Sequence, residues 1–291
     1  MVHFKNGRYE LKSGLIGQGG QGSVLNGLDT QTNEQVAVKV IPITDPMARL
    51  SFQSEHRAAS KLSSGVKNVC RVKDFVVEDG FGFLIMKRYD CDLFSFAFEM
   101  RESILQEEKI KVLFTKICKA LKGLHKKGIA HLDLKPENIL LDLRTMEPYI
   151  CDFGSAFTSS VRRSCNRRRR SSDQAVPALG IQGTRKFSPP EMNDSPLFYD
   201  PFKADVYSLG VVLFALFTRL FPLQITDMEG RTSTDFSCAQ KTMSPKIYSL
   251  LQSMVNPSPT ERYSIDDVLS HEWITSNTSR RLKVLRKTRR Q

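Results

Sequence analysis

The chain has 291 residues, 40% of them apolar and 25% charged, with a formal net charge of +12. This suits one large domain or two modest ones and excludes a disordered chain, a collagen and a small disulfide scaffold. The longest apolar run, residues 209–217, is far shorter than the roughly 20 residues a bilayer span needs, and MVHFKNGRYE lacks the apolar stretch of a secretory signal, so neither a membrane span nor secretion is expected.

Residues 9–16 read as a strand leading into a Gly-rich turn, and residues 22–28 read as a second. The polar turn 30–34 then precedes an apolar strand over 35–41. Pro46 opens a helix predicted to run to about residue 62, followed by strands over 69–77 and 81–86. Beyond Asp90 the periodicity turns helical, over 109–126 and again over 205–218. The expected architecture is α+β, with a small antiparallel β-rich lobe (9–86) carrying one helix, a connector at 87–90 and a larger helical lobe (91–274). A basic tail, 275–291, follows. Ligands favour such junctions between lobes.

The net charge is localised. Residues 161–173 (VRRSCNRRRRSSD) hold six Arg and one Asp, and residues 278–291 hold seven basic residues and no acid, which together account for all of it. A neutral body argues against a nucleic-acid groove across the fold. The six cysteines have irregular spacing and no C-x-x-C pair, as expected for reduced thiols in a cytoplasmic or nuclear protein.

Three features carry chemistry. Gly17, Gly19, Gly22 and Val24 make a G-x-G-x-x-G-x-V turn whose backbone can approach phosphate oxygens; because a strand follows rather than a helix, a dinucleotide fold is disfavoured. Lys39 lies in an apolar strand and needs a carboxylate or phosphate partner, for which Glu55 on the predicted helix is a candidate. The third is His131-Leu-Asp-Leu-Lys-Pro-Glu-Asn138 followed by Asp152-Phe-Gly154. It combines a hydroxyl-orienting Asp, a cation and oxygen ligands for Mg²⁺, the set that phosphoryl transfer requires.

In these motifs, their order and their separations, the chain resembles eukaryotic protein kinases of the Ser/Thr type from about residue 9 to residue 274. The resemblance implies a two-lobed kinase fold, ATP and Mg²⁺ as cofactors, Ser/Thr hydroxyls of protein substrates as acceptors, and a monomer. It implies that Gly17, Gln18, Gly19, Gly20 and Gly22 cover the ATP phosphates and that Lys39, paired to Glu55, binds them. It makes Asp133 the catalytic base, sets Lys135 on the γ-phosphoryl group, gives Asn138 and Asp152 to the metal and braces the Asp152 backbone with His131. Ile16, Val24, Ala37, Met86 and Leu140 or Leu141 enclose the purine, the backbone of Lys87 and Tyr89 meets adenine, and Asp92 contacts ribose. Glu191, closing Gly183-Thr-Arg-Lys-Phe-Ser-Pro-Pro-Glu191, pairs with Arg262, and His271-Glu-Trp273 closes the fold.

Two departures stand out. Leu132 replaces the Arg of His-Arg-Asp, which in relatives receives an activation-loop phosphate. The string is similar to that of myosin light-chain kinases, so the calcium/calmodulin-dependent group and constitutive or tail-regulated activity are expected. The activation segment also carries the Arg-rich insertion with Ser171 and Ser172. Glu137, and with it Asp92 or Asp90, occupies a position resembling the acidic subsites of basophilic kinases, a resemblance that implies Arg-rich serine substrates, Ser171 or Ser172 included, while the arginines alternatively read as a nuclear-import address. The rival reading is a pseudokinase scaffold, disfavoured because Lys39, Glu55, Asp133, Asn138 and Asp152 are all present.

Overall fold

The computed structural model describes residues 2–20, 22–100, 106–159, 176–177, 184–193, 198–226 and 232–276. The first third forms one six-stranded antiparallel sheet from β1 (Val2–Phe4), β2 (Tyr9–Gly19), β3 (Gly22–Asp29), β4 (Glu34–Pro42), β5 (Val72–Glu78) and β6 (Phe81–Lys87), ordered β1-β2-β3-β4-β6-β5. Alternation along β4 sorts its side chains between two faces. Val36 and Val38 join Phe4, Tyr9, Phe83 and Ile85 in one buried cluster. Ala37, Lys39 and Ile41 take the opposite face, where Ile41 packs with Ala48 of helix α1 (Pro46–Lys61). The period of two is therefore what turns Lys39 toward α1.

Helix α1 starts where the sequence predicts, with Pro46 in the first turn and the Asp45 carboxylate accepting from the Ala48 amide at 2.8 Å. Two expectations are corrected. The lobe begins before residue 9, because β1 pairs with β2 and Phe4 is buried against Phe83, ring centroids 4.3 Å apart. Three residues are too few to show a period. The strand expected over 69–77 begins only at Val72, since Val69 instead bridges in parallel to Ile150 in the other lobe.

The larger lobe opens with β7 (Cys91–Asp92) and a π-helical turn at Ser95–Glu99, then α2 (Glu107–Lys126) and β8 (Ile129–Ala130). Strands β9 (Ile139–Asp142) and β10 (Glu147–Ile150) complete a three-stranded sheet with β7, and β11 (Phe157–Thr158) pairs with β8. Then come β12 (Val176–Pro177), α3 (Pro190–Asn193), β13 (Phe198–Tyr199), which pairs with β12, and α4 (Pro201–Thr218). The hairpin β14 (Leu223–Thr226) and β15 (Thr232–Asp235) leads to α5 (Ala239–Thr242), α6 (Pro245–Met254), α7 (Ile265–Ser270) and α8 (Glu272–Thr275).

Helix α2 buries Ile110, Leu113, Phe114, Ile117, Leu121 and Leu124 along one face, as the spacing predicts. Each such side chain is worth about 1.5–3 kcal/mol when fully buried. Helix α4 is apolar on nearly all sides and begins at Pro201, four residues before the predicted start, with Asp200 capping the amides of Phe202 and Lys203. It is long and apolar enough to cross a membrane, but 83% of it is buried inside the protein, which makes it the core helix of this lobe. Arg262 lies beneath the lobe's surface and grips Glu191 through two parallel bonds of 2.6 and 2.8 Å, the predicted pairing. The buried indole of Trp273 donates to Glu107, and Lys111 donates to the Ser276 carbonyl, so the last described residues are held beside α2. The five cysteines among the described residues are free thiols. The Arg-rich insertion at 161–173, with Ser171 and Ser172, and the tail at 278–291 lie outside the described residues.

Candidate active site

The β2–β3 turn comes first in the chain. Gly17 pairs with Val24 and Gly19 with Gly22 across the hairpin. A Cβ on Gly17 or Gly20 would meet nothing within 4 Å, and on Gly19 only the Gly22 carbonyl at 3.9 Å. Their open side suits a phosphate chain. Gly22 has a different reason: at φ +154° a Cβ would sit 2.2 Å from the Val40 carbonyl oxygen, so this glycine allows β3 to lie against β4. Gln18 is exposed on the same turn, and Ile16 projects from it at 44% exposure.

Beneath the turn, Lys39 Nζ lies 3.0 Å from Glu55 Oε1 and 2.8 Å from Asp152 Oδ1. One ammonium serves two carboxylates. Burial works against the charge on Lys39, but the two carboxylates outweigh it and hold the group protonated well above its ordinary range. The carboxylates fare unequally. Burial pushes the enclosed Glu55 up against the pull of Lys39, whereas Asp152, whose side chain keeps 36% exposure, is held below the usual carboxylate range by Lys39 despite its own desolvation. A backbone bond from Phe153 also reaches Glu55. Asp152 adopts φ +66°, a left-handed conformation uncommon outside Gly, Asn and Asp.

The loop from His131 to Asn138 supplies the second cluster. Asp133 Oδ1 accepts from the Thr184 amide at 2.8 Å and the Thr184 hydroxyl at 3.0 Å, and its Oδ2 accepts from Asn138 Nδ2 at 3.0 Å and faces Lys135 Nζ at 2.9 Å. Lys135 also donates to Thr184 Oγ1 at 2.8 Å. Four donors fix the carboxylate's direction. Asn138 Nδ2 serves Asp133 through both its carboxylate and its main-chain carbonyl, so the remaining offering of this amide is its carbonyl oxygen, a hard ligand. Asp152 likewise uses Oδ1 for Lys39 and for the Gly154 amide, leaving Oδ2 to a cation. Two protein oxygens suit Mg²⁺, which completes its shell with phosphate oxygens and water. Among the described residues no cluster of three or more His, Cys, Asp or Glu forms a self-sufficient metal cage.

His131 braces the segment as expected but one peptide earlier, its Nε2 bonding the Cys151 carbonyl at 2.8 Å. Sequence reasoning missed the role of Asp205, which it read only as the start of a helix. This fully buried carboxylate accepts from the amides of His131 and Leu132, each at 2.8 Å, and bonds His125 Nε2. Leu132 sits at φ +63°, and the Asp205 bond offsets the cost of that left-handed turn, on the order of 1–2 kcal/mol. The available signal was an Asp inside an otherwise apolar helix, the argument already applied to Lys39.

The residues expected around the purine fall at these positions. Ala37 lies opposite Met86 in the β4–β6 register, Val24 opposite Lys39, and Leu140 opposite Asp92. Of the two candidates on β9, Leu141 is fully buried in the larger core while Leu140 stays half-exposed, so Leu140 is the one with surface to offer a ligand. Lys87 ends β6, and the Tyr89 ring lies 4.6 Å from that of Tyr149, tilted by 41°. Both oxygens of the Asp92 carboxylate already hold Ser95, by its amide at 2.8 Å and its hydroxyl at 3.1 Å.

Residues 10–274 match the protein kinase domain. Similar curated proteins include serine/threonine-protein kinase pim-2 of Danio rerio, 28% identical over 94% of this chain and 89% of its own length. CBL-interacting protein kinase 22 of Oryza sativa subsp. japonica is 29% identical over 94% of this chain, which spans 63% of that protein. Serine/threonine-protein kinase prk-2 of Caenorhabditis elegans is 28% identical over 93%, this chain spanning 59% of its length.

Proposed function

The chain belongs to the protein kinase family, and from that premise we propose that it transfers the γ-phosphoryl group of Mg-ATP to Ser or Thr hydroxyls in Arg-rich protein segments, without needing a phosphate on its own activation loop. The observation that carries the reading is the meeting of Glu55 and Asp152, from separate stretches of chain, on the single ammonium of Lys39 at 3.0 and 2.8 Å.

Lys39, held in place by Glu55, presents its charge to the phosphates below the open glycine turn. Asp133 accepts the proton of the substrate hydroxyl and aligns it for in-line attack, its orientation set by Thr184 and Asn138. Lys135, already beside Asp133, follows the migrating phosphoryl group as charge shifts toward the acceptor. Asn138 and Asp152 would hold Mg²⁺, which neutralises charge on the phosphates. The fixed dipoles and charges do most of the work, since a loose phosphoryl transition state needs positioning more than covalent help.

Glu137, exposed in the turn between Lys135 and Asn138, supports the preference for basic substrates. Asp92 is committed to Ser95, and one oxygen of Asp90 accepts from the Leu143 amide, so Glu137 is the freest of the three acidic positions. Independence from a loop phosphate is supported by Leu132. It is buried with Ala130, Met192, Tyr199, Phe202 and Ala204, with Phe157 packed against them, where a phosphate receptor would need an exposed cation.

The test is transfer of radiolabelled phosphate to paired serine peptides with and without Arg. Wild type favours the Arg-rich peptide, and Glu137→Ala reduces that preference about tenfold through loss of a charge-assisted contact. An unchanged preference would remove Glu137 from the substrate site.

A further inference from the structure

Helix α1 turns an unusual face to the protein. Its buried positions are Ala48, Ser51, Ser54, Glu55 and Ala58, so small hydroxyls stand where an amphipathic helix ordinarily places Leu or Val. A buried hydroxyl needs a partner. Ser54, 4% exposed, finds it in the carbonyl oxygen of Ala156, to which its Oγ donates at 2.9 Å. Two turns further on, Lys61 donates to the carbonyl of Ser159. Both acceptors are main-chain atoms just beyond Asp152-Phe-Gly154, on the stretch that contains β11. That stretch is itself pinned to the catalytic loop, because β11 pairs with β8 immediately before His131 and the Ser159 amide donates to the Gly128 carbonyl at 2.8 Å.

We propose that Ser54 is a positioning residue that, with Lys61, latches helix α1 to the main chain after Asp152 and so keeps Glu55 on Lys39 without any phosphate on the activation segment. The proposal rests on the phosphate-independent reading above. Ser54 immediately precedes Glu55, so the latch acts at the turn that must be held in register. Because the acceptors are backbone carbonyls, it closes whenever this short stretch adopts its β11 conformation, and no charged group has to be added to the loop to form it. Lys61 reinforces it from the end of the helix, where an ammonium also complements the helix dipole.

The experiment measures binding of Mg-ATP and of adenosine to the full chain by calorimetry, for wild type, Ser54→Ala, Lys61→Met, Glu55→Ala and the Ser54→Ala/Glu55→Ala pair. Adenosine lacks the phosphates that Lys39 meets, so it reports the rest of the pocket. Ser54→Ala is expected to weaken Mg-ATP binding about fivefold or more while leaving adenosine within about twofold, and to have no further effect once Glu55 is gone. Lys61→Met is expected to act in the same direction, about twofold, as the more exposed contact. Equal weakening of both ligands would show general loosening and overturn the proposal, as would effects of Ser54→Ala and Glu55→Ala that multiply. Phosphatase treatment of wild type, followed by turnover, tests the underlying reading separately. A loss above about tenfold would overturn phosphate independence, since the loop would then need the charge-assisted bonds of a phosphate, while the binding cycle would still decide whether Ser54 holds Glu55.

Discussion

On one side of the catalytic loop, the Asp133 carboxylate is surrounded by donors from Thr184, Asn138 and Lys135 and keeps 15% exposure. One residue earlier the backbone turns left-handed, and Leu132 drops into an apolar cluster with Met192, Tyr199 and Phe202, closed to water. The first flank holds its shape through directional side-chain bonds; on the second, the Leu132 side chain packs by burial against Met192, Tyr199 and Phe202 while its amide is held by Asp205. Reactivity and anchorage are thus separated by a single peptide unit, and they should respond differently to mutation.

The largest expected effect is at Asp152, the metal ligand proposed above. Asp152→Ala should lower phosphoryl transfer about a thousandfold or more while moving the urea midpoint little, because Lys39 keeps Glu55 as its partner. Retention of activity within about tenfold would break the comparison outright, since a residue in the machinery normally contributes at least a hundredfold. On the apolar flank, Leu132→Ala should cost about 2–4 kcal/mol of stability by cavity formation, read from denaturant midpoints, with turnover per folded molecule close to wild type. If that variant instead kept its stability and lost turnover, Leu132 would belong to the chemistry and the contrast would fail.

A subtler test uses pH. Burial pushes Glu55 up, Lys39 pulls it down and Asp152 adds to the push, with the net direction upward; for Asp152, burial also pushes up but Lys39 prevails and the direction is downward. A raised acid stabilises the fold most below its unfolded value and loses that contribution as pH rises through the folded one. A lowered acid behaves in the opposite way, its contribution being present above the unfolded value and lost as pH falls through the folded one. Acidification therefore protonates Glu55 first, and the acid limb of kcat/KM for Mg-ATP should lie above the ordinary Glu value of 4.5. Glu55→Gln should abolish that limb, and a limb unmoved in this variant would assign it elsewhere.

Much of this molecule was legible from residue order. The period of two in β4, the cap and proline of α1 and the spacing of α2 are local signals, and the elements appear where those signals stand. The chemistry-bearing residues were legible for a related reason: a lysine in an apolar strand, or two carboxylates with an Asn around a loop, is costly unless it has a ligand or partner. Beyond the role of Asp205, the reading missed β1, which is too short to carry a period, and the first turn of α4, whose signal is the Asp200 cap and Pro201 rather than an apolar spacing.

The amino-acid order by itself determined which residue types were present for phosphoryl transfer and on what kind of element each would sit, because helix, strand and turn preferences act over a few neighbours. It did not determine which of Leu140 and Leu141 would stay half-exposed, that Leu132 would drop into a cluster with Met192 and Phe202, or that a serine beside Glu55 would reach Ala156. Those outcomes depend on how distant segments pack, the larger core itself taking in Ala58, Leu62 and Val69 from the smaller lobe. A side chain's partner across about a hundred residues is chosen by packing and by the cost of leaving a buried polar atom alone, and neither is a property of the local sequence.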